Sequence, residues 1–284
     1  GIFSGAVVNI ILDPIFIFVL DMDTGGAALA TILSQAASAL YVLHFLFGPR
    51  TGVRIGFGGY DLRTMGRILL MGFTPFVIIA VDNVMIISMN SVLQTYGGPG
   101  EGDMLITCAT IVQSFMLVIT MPLGGITGGT QTILAFNYGA GQPDRVKKAQ
   151  RFIFLLSAGY TTILFILAQT AGHIFVRLFT SDPALIAEAA KTIKIYTLAV
   201  IPLSIQYVIV DGFTGLGKVQ LSLPLSFFRK LVYFLPLFLL PRFFGARATF
   251  YAEPISDIIA PVVSIFIYAV AMKRILKKPV IPNF

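Results

Sequence analysis

Charge is scarce in this sequence. Only 12% of its 284 residues are Asp, Glu, Lys or Arg, about half the roughly 25% that soluble domains carry. Cysteine is nearly missing: a single Cys108 excludes a disulfide framework and a Cys-based metal site. Histidine is limited to His44 and His173, with no His-x-x-x-His pair, which excludes the common helical metal motifs. Tryptophan is absent, so anchoring at a membrane interface falls to Tyr and Phe. An intramembrane enzyme would need a nucleophile–base pair or metal ligands. One thiol and two isolated imidazoles do not supply them, so the chain is not read as an enzyme.

What is present is apolar. Hydrophobic residues make up 56% of the chain, and the mean hydropathy is +0.88. Eight runs are long enough to span, since about 20 residues cross a bilayer core. They are Gly1–Leu20, Gly25–Phe47, Met65–Tyr96, Met104–Leu134, Phe152–Phe175, Ile193–Leu216, Leu221–Phe244 and Phe250–Met272. The runs are continuous rather than alternating, which predicts helices and not a barrel. The expected fold is an all-α polytopic membrane protein with eight transmembrane helices. Gly1-Ile2-Phe3 carries no Met, charged n-region or cleavage site; it reads as a helix entered part-way and not as a signal peptide.

The net charge of +7 invites a nucleic-acid reading. The Lys and Arg, however, gather between apolar runs, as the positive-inside rule requires. Arg50, Arg54, Arg63 and Arg67 fall in one junction, and Arg145, Lys147, Lys148 and Arg151 in the next. Lys218, Arg229 and Lys230 surround a third, and Lys273, Arg274, Lys277 and Lys278 close the chain. These are 15 of the 20 basic residues. They place that side and the C-terminus in the cytoplasm and the chain in the plasma (inner) membrane. Nucleic acid is excluded as a partner, and a monomer in the lipid bilayer is expected.

The glycine-rich stretch at 48–64 reads as a linker between two units. Pro14-Ile-Phe-Ile-Phe leading to Gly26-Ala-Ala-Leu-Ala-Thr31 is echoed by Pro236-Leu-Phe-Leu-Leu leading to Gly245-Ala-Arg-Ala-Thr249. Internal repeats of this kind are usual in secondary transporters.

One motif stands out inside the first run: Asn9-Ile-Ile-Leu-Asp13-Pro14. Asn9 and Asp13 are four apart and stack on one helix face. Pro14 cannot donate a hydrogen bond to the Ile10 carbonyl. A carboxylate at mid-bilayer costs on the order of 3 kcal/mol, so an intramembrane Asp is a functional candidate.

Taken with Gly25-Gly-Ala-Ala-Leu-Ala-Thr31, Pro122-Leu-Gly-Gly-Ile-Thr-Gly-Gly-Thr130, Asn137-Tyr-Gly-Ala-Gly141 and Ala252-Glu-Pro-Ile-Ser-Asp257, this motif resembles the multidrug and toxic compound extrusion (MATE) family. The resemblance covers essentially the whole chain and matches that family's spans five to twelve, leaving out the first four. It implies residues 1–47 as the last two helices of an N-terminal six-helix lobe and 48–64 as a cytoplasmic inter-lobe linker. Residues 65–275 would form a complete C-terminal six-helix lobe, and 276–284 a cytoplasmic tail. It also implies antiport: export of amphipathic cations, coupled to entry of Na+ or H+, with no cofactor. The family's cation site corresponds here to Asn9, Asp13 and Thr31, with a further Asp on the first span.

A carboxylate, an amide oxygen, a hydroxyl and a freed carbonyl are hard ligands suited to Na+. A desolvated Asp13 can equally carry a proton. No other metal site is expected. For the cargo cavity the candidates are Asp82, Asn83, Gln113, Gln206 and Asp211, with Met85 and Met89 as a soft apolar wall. Glu253 and Asp257, four apart, are expected to brace the last helix. Gly124, Gly125, Gly128 and Gly129 lack a following Lys-Ser/Thr, so they are read as close helix packing and not as a phosphate loop. Pro75, Pro122, Pro202, Pro224 and Pro236 offer places to bend. A lipid-linked saccharide flippase of the same superfamily is the alternative, as is a fragment that does not transport. Flippases line the cavity with more Arg and Lys. The mid-membrane charges read here are mostly acidic, which favours a cationic cargo.

Overall fold

The computed structural model describes residues 2–48, 58 and 61–276, which form helices and no strand. They divide into two compact units, Gly1–Arg67 and Ile68–Phe284. The expected linker at 48–64 and tail at 276–284 fall largely outside the described residues, as do Arg50, Arg54, Lys277 and Lys278.

The first unit is a hairpin. Helix α1 (Ile2–Pro14) runs on into a π-helical turn, Ile15–Val19. The Leu20 N–H closes that turn by donating to the Ile15 carbonyl at 2.9 Å. Pro14 sits at φ −62° and ψ −35°, within the range its ring imposes, so the helix continues through it. Such turns absorb one extra residue and recur at functional sites. Asp21 and Asp23 then take positive φ, 51° and 46°, a conformation Asp tolerates better than most residues. Helix α2 (Asp23–Leu46) buries only Gly26, Ala30 and Ser34, a small-residue stripe with a spacing of four. A Cβ on Gly26 would stand 2.9 Å from the Phe16 carbonyl group, so only glycine permits α2 to begin that close to the end of α1. Large apolar side chains cover the outside; Phe18 is 80% exposed. A surface like this is matched to lipid tails.

The second unit comprises α3 (Leu62–Gly97) from Ile68 onward, α4 (Glu101–Gly139), α5 (Pro143–Val176), α6 (Pro183–Tyr196), α7 (Val200–Gly215), α8 (Val219–Phe244) and α9 (Ala252–Ile275). A 3-10 turn, Ala246–Tyr251, joins the last two. Helix α7 is the hub, packing on α4, α5, α8 and α9. Two apolar cores hold the unit. Met89, Leu93, Leu105, Ile119, Ile193 and Leu237 belong to one, and Leu134, Val146, Ile209, Phe213 and Leu225 to the other.

Among the described residues, six helices are long and apolar enough to cross a membrane, or seven if the bent pair α6 and α7 counts as one span. This differs from the expected eight in two places. Phe3–Val19 is a shorter apolar helix. The run expected as a single span at Ile193–Leu216 is broken after Tyr196, with a bend of 49°. Pro202 accounts for the break: in a continuous helix its ring would collide with the Leu198 carbonyl, but in the first turn of α7 it is tolerated. The preceding residues, with Glu188, Lys191 and Lys194, form an amphipathic helix started by Asp182, whose Oδ1 accepts the Ala184 N–H at 2.9 Å.

Two further expectations need correction. A Cβ at Gly124, Gly125, Gly128 or Gly129 would meet open space, so among the described residues these four glycines do not mark a close helix contact; the run packs through the buried Leu123 and Thr127 instead. Arg229 and Lys230 do not flank a junction; they lie in the interior of α8. Without them, 13 of the 15 basic residues remain on the side assigned to the cytoplasm.

Candidate ion motif and cargo cavity

In the first unit Asn9 and Asp13 meet as their spacing predicts. The Asn9 Nδ2 donates to Asp13 Oδ1 at 3.3 Å, and both residues are half-buried. Among the described residues no hydrogen bond is made to the second Asp13 oxygen, which can take another ligand. Turning the Asn9 amide over would present two oxygens to a cation. Thr31 is not joined to this pair. It is exposed, and its hydroxyl donates to the Ala27 carbonyl of its own helix at 2.9 Å. It neighbours Ala30, on the stripe that α2 buries.

The second unit contains a cavity of about 680 Å³, within the usual size range of small-molecule sites. Three helices supply its walls, each with one face. Helix α3 presents Ile78 and Asp82, one turn apart. Helix α7 presents Gln206, Tyr207, Val210, Asp211 and Thr214. Helix α8 presents Val219, Ser222, Leu223, Ser226, Arg229 and Lys230. Three of the expected cargo residues, Asp82, Gln206 and Asp211, therefore share one wall system. The others do not line it. Asn83 is exposed and donates to the Ile79 carbonyl at 2.9 Å. Gln113 is half-buried on α4. Met85 and Met89 are buried in the apolar core. Met packs equally well in a core or a cavity wall, so its chemistry did not distinguish the two.

The Asp211 and Gln206 side chains are each held by neighbouring helices. Asp211 accepts the Thr127 hydroxyl at 2.5 Å and the Gln131 amide at 3.1 Å, both from α4. That approach depends on Gly215, where a Cβ would stand 3.0 Å from the Gln131 backbone. Gln206 donates to the Leu225 carbonyl at 3.2 Å and accepts the Ser264 hydroxyl, tying α7 to α8 and α9.

The wall also carries two cations that the sequence reading placed in water. Arg229 donates to Glu253 at 3.2 Å and to Asp257 at 2.9 Å. The far oxygen of Glu253 accepts the Tyr196 hydroxyl at 3.3 Å. The Lys230 ammonium pairs with Asp82 and donates to the Ile78 carbonyl at 2.7 Å. Glu253 and Asp257 thus brace α9 against α8, as their spacing predicts. The signal for the two cations was positional: they fall eight and nine residues past Leu221, near the middle of an expected span.

The family model described as MatE matches residues 79–240. The multidrug export protein MepA of Staphylococcus haemolyticus is 24% identical over 271 residues, which is 94% of this chain and 58% of that protein. An outward-facing multidrug resistance MATE family transporter of the MOP superfamily has a similar fold, with a TM-score of 0.85 at 20% identity, covering 97% of this chain and 62% of that one. A MOP superfamily transporter from Pyrococcus furiosus, described as having a binding pocket of reverse polarity, also has a TM-score of 0.85, at 21% identity and the same coverage. The chain spans less than two thirds of the length of each of these three proteins. A match over more than half of its residues, on a fold of membrane-length helices, shows that the chain belongs to the MatE family.

Proposed function

We propose that the chain acts in a secondary exporter that moves amphipathic cations out of the cell in exchange for Na+ or H+. The observation that carries this reading is the 680 Å³ cavity, where Asp82 and Asp211 stand among Ile78, Val210, Val219 and Leu223. Apolar walls with few acidic groups suit a greasy cation. The multidrug export relative supports the same cargo class. Asn9 and Asp13 are the proposed coupling pair, with Thr31 as a third oxygen on the neighbouring helix. Eight spans in two lobes, with the C-terminus in the cytoplasm and α1 crossing as the shortest, complete the proposal. Alternating access would then carry the cavity from one side to the other. The test is drug efflux driven by Na+ or proton gradients in vesicles containing the full-length protein. Asp211→Asn should lower cargo affinity, and Asp13→Asn should uncouple transport from the gradient. Unchanged coupling in Asp13→Asn would remove the ion assignment.

A second reading is favoured by one observation. Arg229 and Lys230 line the same cavity, so its charge is less acidic than the sequence suggested. A flippase for an anionic, lipid-linked saccharide would use such cations. Transport of a lipid-linked pyrophosphate, lost in Lys230→Met, would select that reading over cation export.

A further inference from the structure

The pairing of Lys230 with Asp82 is asymmetric. The carboxylate is 47% exposed, whereas the ammonium side chain is 5% exposed. Both residues line the cavity, but Asp82 presents an open carboxylate to it whereas the Lys230 side chain is packed into the wall. Lys230 also has a second acceptor, the Ile78 carbonyl at 2.7 Å, one turn from Asp82 on the same helix. The neighbouring cation has no share in this pair, because Arg229 is occupied by Glu253 and Asp257. Asp211, the other cavity carboxylate, is held among the described residues by the neutral donors Thr127 and Gln131.

We propose that Lys230 is a tethered competitor for Asp82, a built-in cation that a cargo ammonium or iminium group must displace to bind there. The inference rests on the cavity being a cation site. When cargo arrives, Asp82 exchanges one cation for another while Lys230 falls back on the Ile78 carbonyl. A buried ammonium with no acceptor at all would oppose the exchange; the second acceptor removes that obstacle. While cargo occupies Asp82, this part of the wall holds one excess positive charge; Lys230 re-forming its pair with Asp82 expels the cargo and removes that excess. The exchange also breaks a link between α3 and α8, so occupancy of the cavity is felt by helix packing. Lys230 is a specificity-determining residue in this scheme: it sets affinity low and favours release.

The test is equilibrium binding of ethidium, a fluorescent planar cation, to the purified full-length protein in detergent. Lys230→Met should tighten binding by about two- to fivefold, the scale of a partly exposed ion pair. The gain should vanish in the Lys230→Met/Asp82→Asn double variant, and Lys230→Arg should bind as the wild type does. Lys230→Gln, which keeps a donor for the Ile78 carbonyl, carries the same test if Lys230→Met does not fold. If Asp211→Asn weakens ethidium binding but neither neutral variant at position 230 tightens it, the exchange is wrong and the cavity reading stands. If no variant at 82, 211 or 230 changes ethidium binding, both are wrong.

Discussion

Arg229 on α8 donates to Asp257 on α9 at 2.9 Å, and the Asp257 side chain is 1% exposed. A carboxylate that deep is tolerable only with its guanidinium in place. Removing one partner of a buried pair costs about 3–5 kcal/mol, because the other charge is stranded. Arg229→Leu should therefore destabilise the protein by about that amount, read as earlier thermal unfolding in detergent. Adding Asp257→Asn to Arg229→Leu should recover part of the loss, which identifies the coupling. Equal stability of Arg229→Leu and wild type would contradict this.

Asp13→Asn should remove the dependence of drug efflux on the Na+ gradient, or on the proton gradient if H+ is the ion, as gradient-driven efflux in vesicles will show. Thr31→Val should alter folding stability by less than about 0.5 kcal/mol, since the exposed hydroxyl bonds only its own helix. A clear shift in ion dependence with unchanged stability would place Thr31 in the ion site.

The glycines of α4 and α7 should respond in opposite senses. Gly215→Val inserts atoms 3.0 Å from the Gln131 backbone and should cost about 1–3 kcal/mol by overpacking. It should also weaken cargo binding, since it pushes Gln131 away from Asp211. Gly128→Ala meets open space and should stabilise the helix by roughly 0.5–1 kcal/mol through lower backbone entropy in the unfolded chain. Thermal unfolding of the two variants side by side checks both signs.

At the start of α3, outside the spanning part, the Asp61 carboxylate accepts the Thr64 hydroxyl at 2.6 Å and the backbone N–H groups of Arg63 and Thr64. These bonds, the Thr64 hydroxyl foremost, hold its pKa below the ordinary carboxylate range. A depressed folded pKa gives a contribution that is present above the unfolded value and is lost as pH falls through the folded one. Amide exchange at Arg63 and Thr64 should therefore stay slow near neutral pH and lose protection in strong acid. Asp61→Asn should reduce the protection and flatten its pH dependence.

Much of this was written plainly in the chain. Long apolar runs with few charges leave helices as the only way to satisfy the backbone in lipid. The spacing of Asn9 and Asp13, and of Glu253 and Asp257, placed each pair on one face, and each pair is found bonded or bracing. Helix α6 was harder to read, because Glu188, Lys191 and Lys194 give it the composition of a loop. Arg229 and Lys230 were misplaced by a rule about water: counting cations as cytoplasmic assumes that none is neutralised at depth. Their partners Asp82, Glu253 and Asp257 lie 24 to 148 residues away in the chain, and no local pattern announces such a pairing. Met85 and Met89, expected on the cargo wall, lie in the apolar core; a core and a cargo wall ask the same of a thioether.

The five-residue turn after Pro14 has one more consequence. Each residue of an α-helix advances about 100° around its axis. By carrying one residue beyond α geometry, Ile15–Val19 rotates everything before it by about that angle relative to the α1–α2 loop. Deleting a single residue there would leave Asp13 at nearly the same depth but pointing to a different compass bearing. The turn thus fixes the azimuth of the carboxylate, and a change between π and α geometry would swing Asn9 and Asp13 together, without sliding the helix along its axis.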